Sequence, residues 1–184
     1  MFDFESVERA VVGALGEPTG RASVAFVGVQ TLEVVRFGPG GDGLVRYVTL
    51  GMSRHPMTGA EAPTQDAAGP RAELVLTVRE PVDGVLRSLA VLAAMPVVEG
   101  VVVRAGAAYE LGGPLWPGSP FTGVVTSAGA GIEGPVEFLA VVPVSPSELA
   151  YRREHGPAAL DQLWTARGVD VRDPWRDGTA DARD

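Results

Sequence analysis

The stretch Val136–Trp164 reads VEFLAVVPVSPSELAYRREHGPAALDQLW, and its reading decides the class of fold. Val136, Phe138, Leu139, Ala140, Val141 and Val142 form an almost unbroken apolar run, the pattern of a strand covered on both faces. Pro143 is expected to end that strand, because it has no N–H to give the ladder. Ser145-Pro146-Ser147-Glu148 then carries each part of a helix start. The serine can cap, the proline suits the first helical position, and the glutamate three residues on completes a capping box. Gly156 can adopt the left-handed conformation that stops this helix, and Pro157 opens another. Leu160, Leu163 and Trp164 give the second helix one apolar stripe, which lasts until Gly168. Pro143, Ser145 and Glu148 are therefore given structural roles, and the stretch reads as a packing corner.

Outward from this corner the chain alternates helical and extended patterns. Phe4, Val7, Val11 and Leu15 lie at helical spacing between a capping Asp3 and a terminating Gly16. Strands are expected at Ala22–Val29, around Leu32–Phe37, at Leu44–Leu50 and at Ala72–Val78. The run from Gly51 to Pro70 shows no period and reads as a long loop. Pro81 should open an amphipathic helix whose face is Val82, Val85, Leu86, Leu89, Leu92 and Ala93, with Met95-Pro96 closing it. A short strand is expected within Val97–Arg104 and another at Phe121–Thr126.

The 184 residues suffice for one domain that buries about 70% of its unfolded surface. All 15 basic residues are arginine, a compositional bias on which no function is built. The formal net charge of −8 opposes phosphate backbones and anionic lipid, so nucleic acid and membrane surfaces are not expected partners. With no cysteine there is neither a disulfide nor a thiolate metal site. The opening MFDFESVERA has no apolar signal core. The apolar window Leu89–Val98 falls short of the roughly 18 residues that suggest a membrane span. A cytoplasmic location is the expectation.

Several residue patterns have chemical readings. Gly38/Gly40/Gly43 and Gly129/Gly131/Gly134 match the G-x-G-x-x-G spacing, but a dinucleotide site needs a helix after the loop. Both loops lead into strands, so both are read as hairpin turns. Only two histidines are present, His55 and His155. His55 stands two residues from Ser53, too close for the usual base geometry, and His155 sits in the last turn of a helix where its charge suits the dipole. The carboxylates Glu99, Glu110, Glu133, Glu137 and Glu148 fall near strand ends, without spacing that pairs them. No catalytic set, metal or cofactor is expected. Trp116, between Pro114, Pro117 and Pro120, reads either as a binding anchor on a stiff loop or as a plug for the core edge.

Four segments together resemble the Suppressor of fused family in its bacterial, single-domain form. They are Tyr47-Val48-Thr49-Leu50-Gly51-Met52-Ser53 leading to Pro56-Met57, then Arg71–Leu76, then Ser119–Gly123, and finally Phe138–Ser145 with Glu148. The resemblance runs roughly from residue 20 to 175. It implies an α/β (α+β) fold, a mixed β-sheet packed against several helices in a single domain. That domain would span residues 1–176, with a disordered tail at 177–184. It also implies a non-catalytic protein-binding role, with bacterial members regarded as immunity proteins against toxins. A basic toxin domain or an extended peptide added to the sheet is the expected partner. The strand Leu44–Leu50 and the loop after it are assigned to that surface. Tyr47, Thr49, Gly51, Met52, Ser53 and Trp116 are the expected contacts. The competing readings are a hydrolase or transferase with a pocket built from Glu110, His55 and loop residues, and a subunit that works only as a homo-oligomer.

Overall fold

A computed structural model describes residues 2–62, 64 and 66–179. Among these, four helices and seven strands follow the order α1 (Phe4–Leu15), β1 (Gly20–Val24), β2 (Leu32–Phe37), β3 (Val45–Leu50), β4 (Ala72–Val78), α2 (Val85–Val98), β5 (Ala108–Glu110), β6 (Gly123–Ser127), β7 (Glu137–Val144), α3 (Pro146–His155) and α4 (Pro157–Ala166). The strands form one sheet in the order β1-β2-β3-β4-β7-β6-β5. Only β4 and β7 run parallel, and every other neighbour is antiparallel. The sheet is therefore mixed, as expected, and its centre is the β4–β7 pair.

Side chains alternate across a strand, and the packing follows that alternation. Tyr47, Leu74, Leu76, Leu139 and Val141 meet Val85, Leu89, Leu92 and Ala93 of α2 on one face. Val35, Val48, Leu50, Val75 and Phe138 meet Val7 and Val11 of α1 on the other. Val142 and Val144 share that second face with Phe138, and there they pack against Leu149, Leu160 and Trp164 of α3 and α4. One helix thus covers one face, and three helices divide the opposite face between its two ends.

The corner at 143–157 forms as its residues dictate. Ser145 accepts from the Glu148 N–H, Glu148 reaches back to the Ser145 N–H, and Gly156 ends α3 just before Pro157 opens α4. Pro143 does not end the strand. It lies within β7 opposite Val124, while the β4 ladder has already stopped at Val141. A proline here leaves no ladder bond unmade, and its carbonyl accepts from Arg176 Nη2 at 2.7 Å.

Other boundaries shifted for local reasons. The chain leaves the sheet after Val24, and Val27 projects wholly into solvent. Helix α2 begins at Val85 after a left-handed Gly84. Val82 instead exchanges hydrogen bonds with Tyr47, its N–H donating to the phenol at 3.0 Å and its carbonyl accepting from it. Pro96 lies inside α2, whose end is held by the Glu99 N–H on Met95. No strand forms over 97–104. The Tyr109 hydroxyl accepts from the Arg104 N–H and donates to the Val102 carbonyl, and Thr126 Oγ1 donates to the Arg104 carbonyl. At Val102 and Arg104 side chains, not a partner strand, take the backbone's hydrogen bonds.

Candidate functional site

The expected contact segment YVTLGMS turns out to be an interior scaffold. The β3–β4 register ends at Val48↔Val75, and beyond it the strands separate around Glu73. This carboxylate is fully buried. It accepts from Thr49 Oγ1 at 2.7 Å, the Gly51 N–H at 2.9 Å, the Ser53 N–H at 3.0 Å and Ser53 Oγ at 2.6 Å. Thr49 Oγ1 in turn accepts from the Leu74 N–H at 2.8 Å. Backbone groups that would be orphaned where the ladder opens are thus paired with side chains. Arg71 extends the cradle, donating to the Ser53 and Arg54 carbonyls at 2.7 Å each. Burial pushes the Glu73 pKa above its usual value, against the downward pull of its four donors.

Tyr47, Thr49, Gly51, Met52 and Ser53 are all buried, so they shape the rim of the loop from within. β3 has β2 and β4 as neighbours on its two sides and cannot receive an added strand. The edges of the sheet that remain are β1 and β5. Trp116 is buried too, tilted against Phe121 with ring centroids 5.7 Å apart and edge-on to Trp175 at 6.4 Å. Of its two readings, the plug is the one the structure adopts.

What closes over this plug is the chain's own C-terminal segment. Arg176 lies between the Phe121 and Trp164 rings, 4.5 and 5.5 Å from their centroids. It donates to both oxygens of Glu148, with Nη2 on Oε2 at 3.1 Å. Trp164 Nε1 donates to Glu148 Oε1 at 2.7 Å. The Gly178 carbonyl accepts from Ser145 and Ser147, and Trp175 Nε1 donates to Glu80. Residues 177–179 of the expected disordered tail therefore follow on from a docked segment, with Gly178 buried. Residues 180–184 lie outside the described ones.

Two cavities meet at Gly84. One, of about 230 Å³, is lined by Gly20 and Arg21 of β1 together with Arg36, Tyr47, Val82 and Asp83. The other, of about 380 Å³, is lined by Arg87, Ser88 and the Pro114–Pro117 loop. Gly84 lines both, with the first cavity beside β1 and the second beside the Trp116 loop. Tyr47 and Trp116, far apart in sequence, line one cavity each.

The alternative catalytic grouping does not assemble in one cavity. Glu110 pairs with Arg153 at 3.5 Å and lines a hollow with Ala108, Tyr109, Leu149, Arg152 and Arg153, a set without His55. Ser53 Oγ is committed to Glu73, and the His155 ring lies against Tyr151 at 4.4 Å. Among the described residues no group of three or more His, Asp or Glu side chains is placed to hold a metal ion, and no helix is long and apolar enough to cross a membrane.

Glu73 and Arg176 are the residues that sequence reasoning passed over. Glu73 had a signal, a lone acid inside the otherwise apolar and neutral run AELVLTV. Arg176 had none, because it sits in a tail of alternating Asp and Arg.

Comparison with known proteins agrees with this geometry. The sequence model of the Suppressor of fused protein family matches residues 28–177. A Suppressor of fused homologue from Neisseria gonorrhoeae superposes with a TM-score of 0.71 at 16% identity, covering 97% of each chain. A chain of the Sufu–Fu complex crystal structure gives 0.63 at 12% identity, over 98% of this chain and 89% of that one. Drosophila Suppressor of Fused gives 0.60 at 13% identity, and there the chain spans only 46% of the longer protein. No curated protein matches the sequence. With a match over most of its length, this chain belongs to the Suppressor of fused family.

Proposed function

We propose that the chain is a non-catalytic protein-binding module, and more finely an immunity-type protein that neutralises a bacterial toxin by direct binding. The observation that carries this reading is the edge of β1, which has β2 on one side and, among the described residues, no strand on the other. An extended segment of a partner can continue the sheet there through main-chain hydrogen bonds, with side chains entering the adjoining cavity. A solved relative, Sufu, forms a complex with a protein, Fu. The net charge of −8 favours a basic partner and would steer its approach.

The test is co-expression with the product of the neighbouring gene, followed by measurement of affinity for two variants, Ala22→Pro and Ser23→Pro. Successive N–H groups of a strand point to opposite sides. One of these prolines removes an inward bond to β2 and the other an outward N–H. The outward one should leave the melting temperature unchanged and lower partner affinity. If both variants bind as the wild type does, the edge of β1 is not the binding surface.

A further inference from the structure

Beside the edge strand β1 lies an arginine that no carboxylate of the described residues neutralises. Arg36 stands on β2, across from Gly20 of β1 on one side and Tyr47 of β3 on the other. Residues directly across a ladder point to the same face, so Arg36 shares the α2 face of the sheet with Tyr47. Gly20, Ala22 and Val24 lie on that face of β1 by alternation, and Val24 packs there against the core.

Arg36 donates from Nε to Thr19 Oγ1 at 3.4 Å and from Nη2 to the Thr19 carbonyl at 3.3 Å. Both acceptors are neutral, and Arg36 belongs to no ion pair among the described residues. Arg21, the arginine of β1 on the opposite face, is instead held by Glu8 and Glu33 at 2.5 Å each. Asp83 lines the same cavity of about 230 Å³ as Arg36, but it is exposed and forms no ion pair with it.

The Arg36 guanidinium reaches across to the edge strand. A Cβ built on Gly20 would stand 3.5 Å from Arg36 Nε and 3.6 Å from its Cζ and Nη2. A strand added to β1 would set the Cβ of the residue across from Gly20 about 4.5–5.5 Å from that same point. The carboxylate of an aspartate or glutamate there spans the gap to the guanidinium. Gly20 does not have positive φ, so its backbone does not demand glycine. What the missing side chain provides is access to Arg36 from the edge.

A guanidinium is a planar, multiply donating cation, and a carboxylate is the acceptor that matches it. We infer that the strand which a protein partner adds to β1 carries an acidic side chain across from Gly20, where Arg36 binds it. This rests on the proposed binding function. One acid in the docked strand is compatible with a partner that is basic overall, because the net charge is what steers its approach.

The experiment is a titration of the full chain with the peptide acetyl-TVTETVT-amide, whose valines share a face with its glutamate. It is read from the backbone amide NMR signals of Gly20, Ala22 and Val24 and from the Arg36 Nε–H. Two peptides with glutamine or arginine in place of the glutamate are run beside it. The glutamate peptide should give saturable shifts at β1 and Arg36. The glutamine peptide should bind about three- to tenfold more weakly, and the arginine peptide more weakly still. In Arg36→Gln the glutamate and glutamine peptides should bind alike. The comparison of peptides on the wild type decides the matter alone if that variant does not fold. Absence of saturable shifts at β1, equal binding of the glutamate and glutamine peptides to the wild type, tightest binding of the arginine peptide, or a glutamate preference that survives Arg36→Gln would overturn the inference. The binding function is judged separately. An Arg36→Gln protein that captures its partner with wild-type affinity removes Arg36 from the interface and leaves the function standing, whereas a wild type that captures none removes the function.

Discussion

Glu148 and Arg176 form a salt bridge whose side chains are 1% and 8% exposed, whereas every other ion pair among the described residues has at least one partner more than a quarter exposed. The pair ties the cap of α3 to the C-terminal segment and sandwiches the guanidinium between Phe121 and Trp164. Removing one member leaves the other charged and buried. Arg176→Ala should therefore cost about 3–5 kcal/mol of stability, measured by denaturant unfolding. Glu148→Leu combined with Arg176→Met should cost less than the sum of the two single changes, because the second change removes the charge stranded by the first. Strict additivity would contradict a coupled pair.

Glu73 predicts a pH dependence of definite sign. Burial raises its pKa in the fold above the ordinary 4.5, so the native state holds its proton more tightly than the unfolded chain does. The stability this contributes is present below pH 4.5 and is lost as pH rises through the folded value. The stability advantage of the wild type over Glu73→Gln should accordingly shrink between pH 4.5 and 8, as read from parallel denaturation curves. An advantage that grows over that range would mean that the four donors outweigh burial.

Trp116 separates a packing role from a contact role. It is a buried plug between Phe121 and Trp175, so Trp116→Ala should cost about 3–5 kcal/mol. Trp175 is 52% exposed, and Trp175→Ala should cost only about 0.5–1.5 kcal/mol, the worth of an edge-on aromatic pair. Equal losses would contradict the burial difference.

Two neighbouring glycines should respond oppositely to the same substitution. Gly38 has φ +88°, and a Cβ there would stand 2.5 Å from the Leu44 carbonyl oxygen. Gly38→Ala should therefore lower the melting temperature by several degrees, equivalent to about 1–3 kcal/mol. Gly41→Ala, with open space around it, should change stability by no more than about 0.5 kcal/mol.

The parts of the fold legible in the sequence were those with short-range causes. Asp3 and Gly16 bound α1, and the Ser145/Glu148 box, Gly156 and Pro157 bound α3 and α4. The register of a hairpin turn explained both glycine triplets. What could not be read was set by distant partners. Pro143 remains in its strand because β4 stops pairing at Val141, and Val101–Val103 are held by Tyr109 and the core, not by a ladder. The expected contacts Thr49, Gly51 and Ser53 are brought together, but around Glu73 and inside the protein. A sequence period tells which face of a strand is apolar. It does not tell whether that strand lies at the edge of the sheet, and here β1 holds an edge while β3 lies between β2 and β4.

The claim on which the account turns is that this chain works by binding another protein. Size-exclusion chromatography with light scattering, applied to the chain co-expressed with the product of its neighbouring gene, tests it most directly. The account predicts a single stoichiometric complex whose association rate falls as salt is raised. Two separate peaks at micromolar concentration, unchanged at low salt, would contradict it.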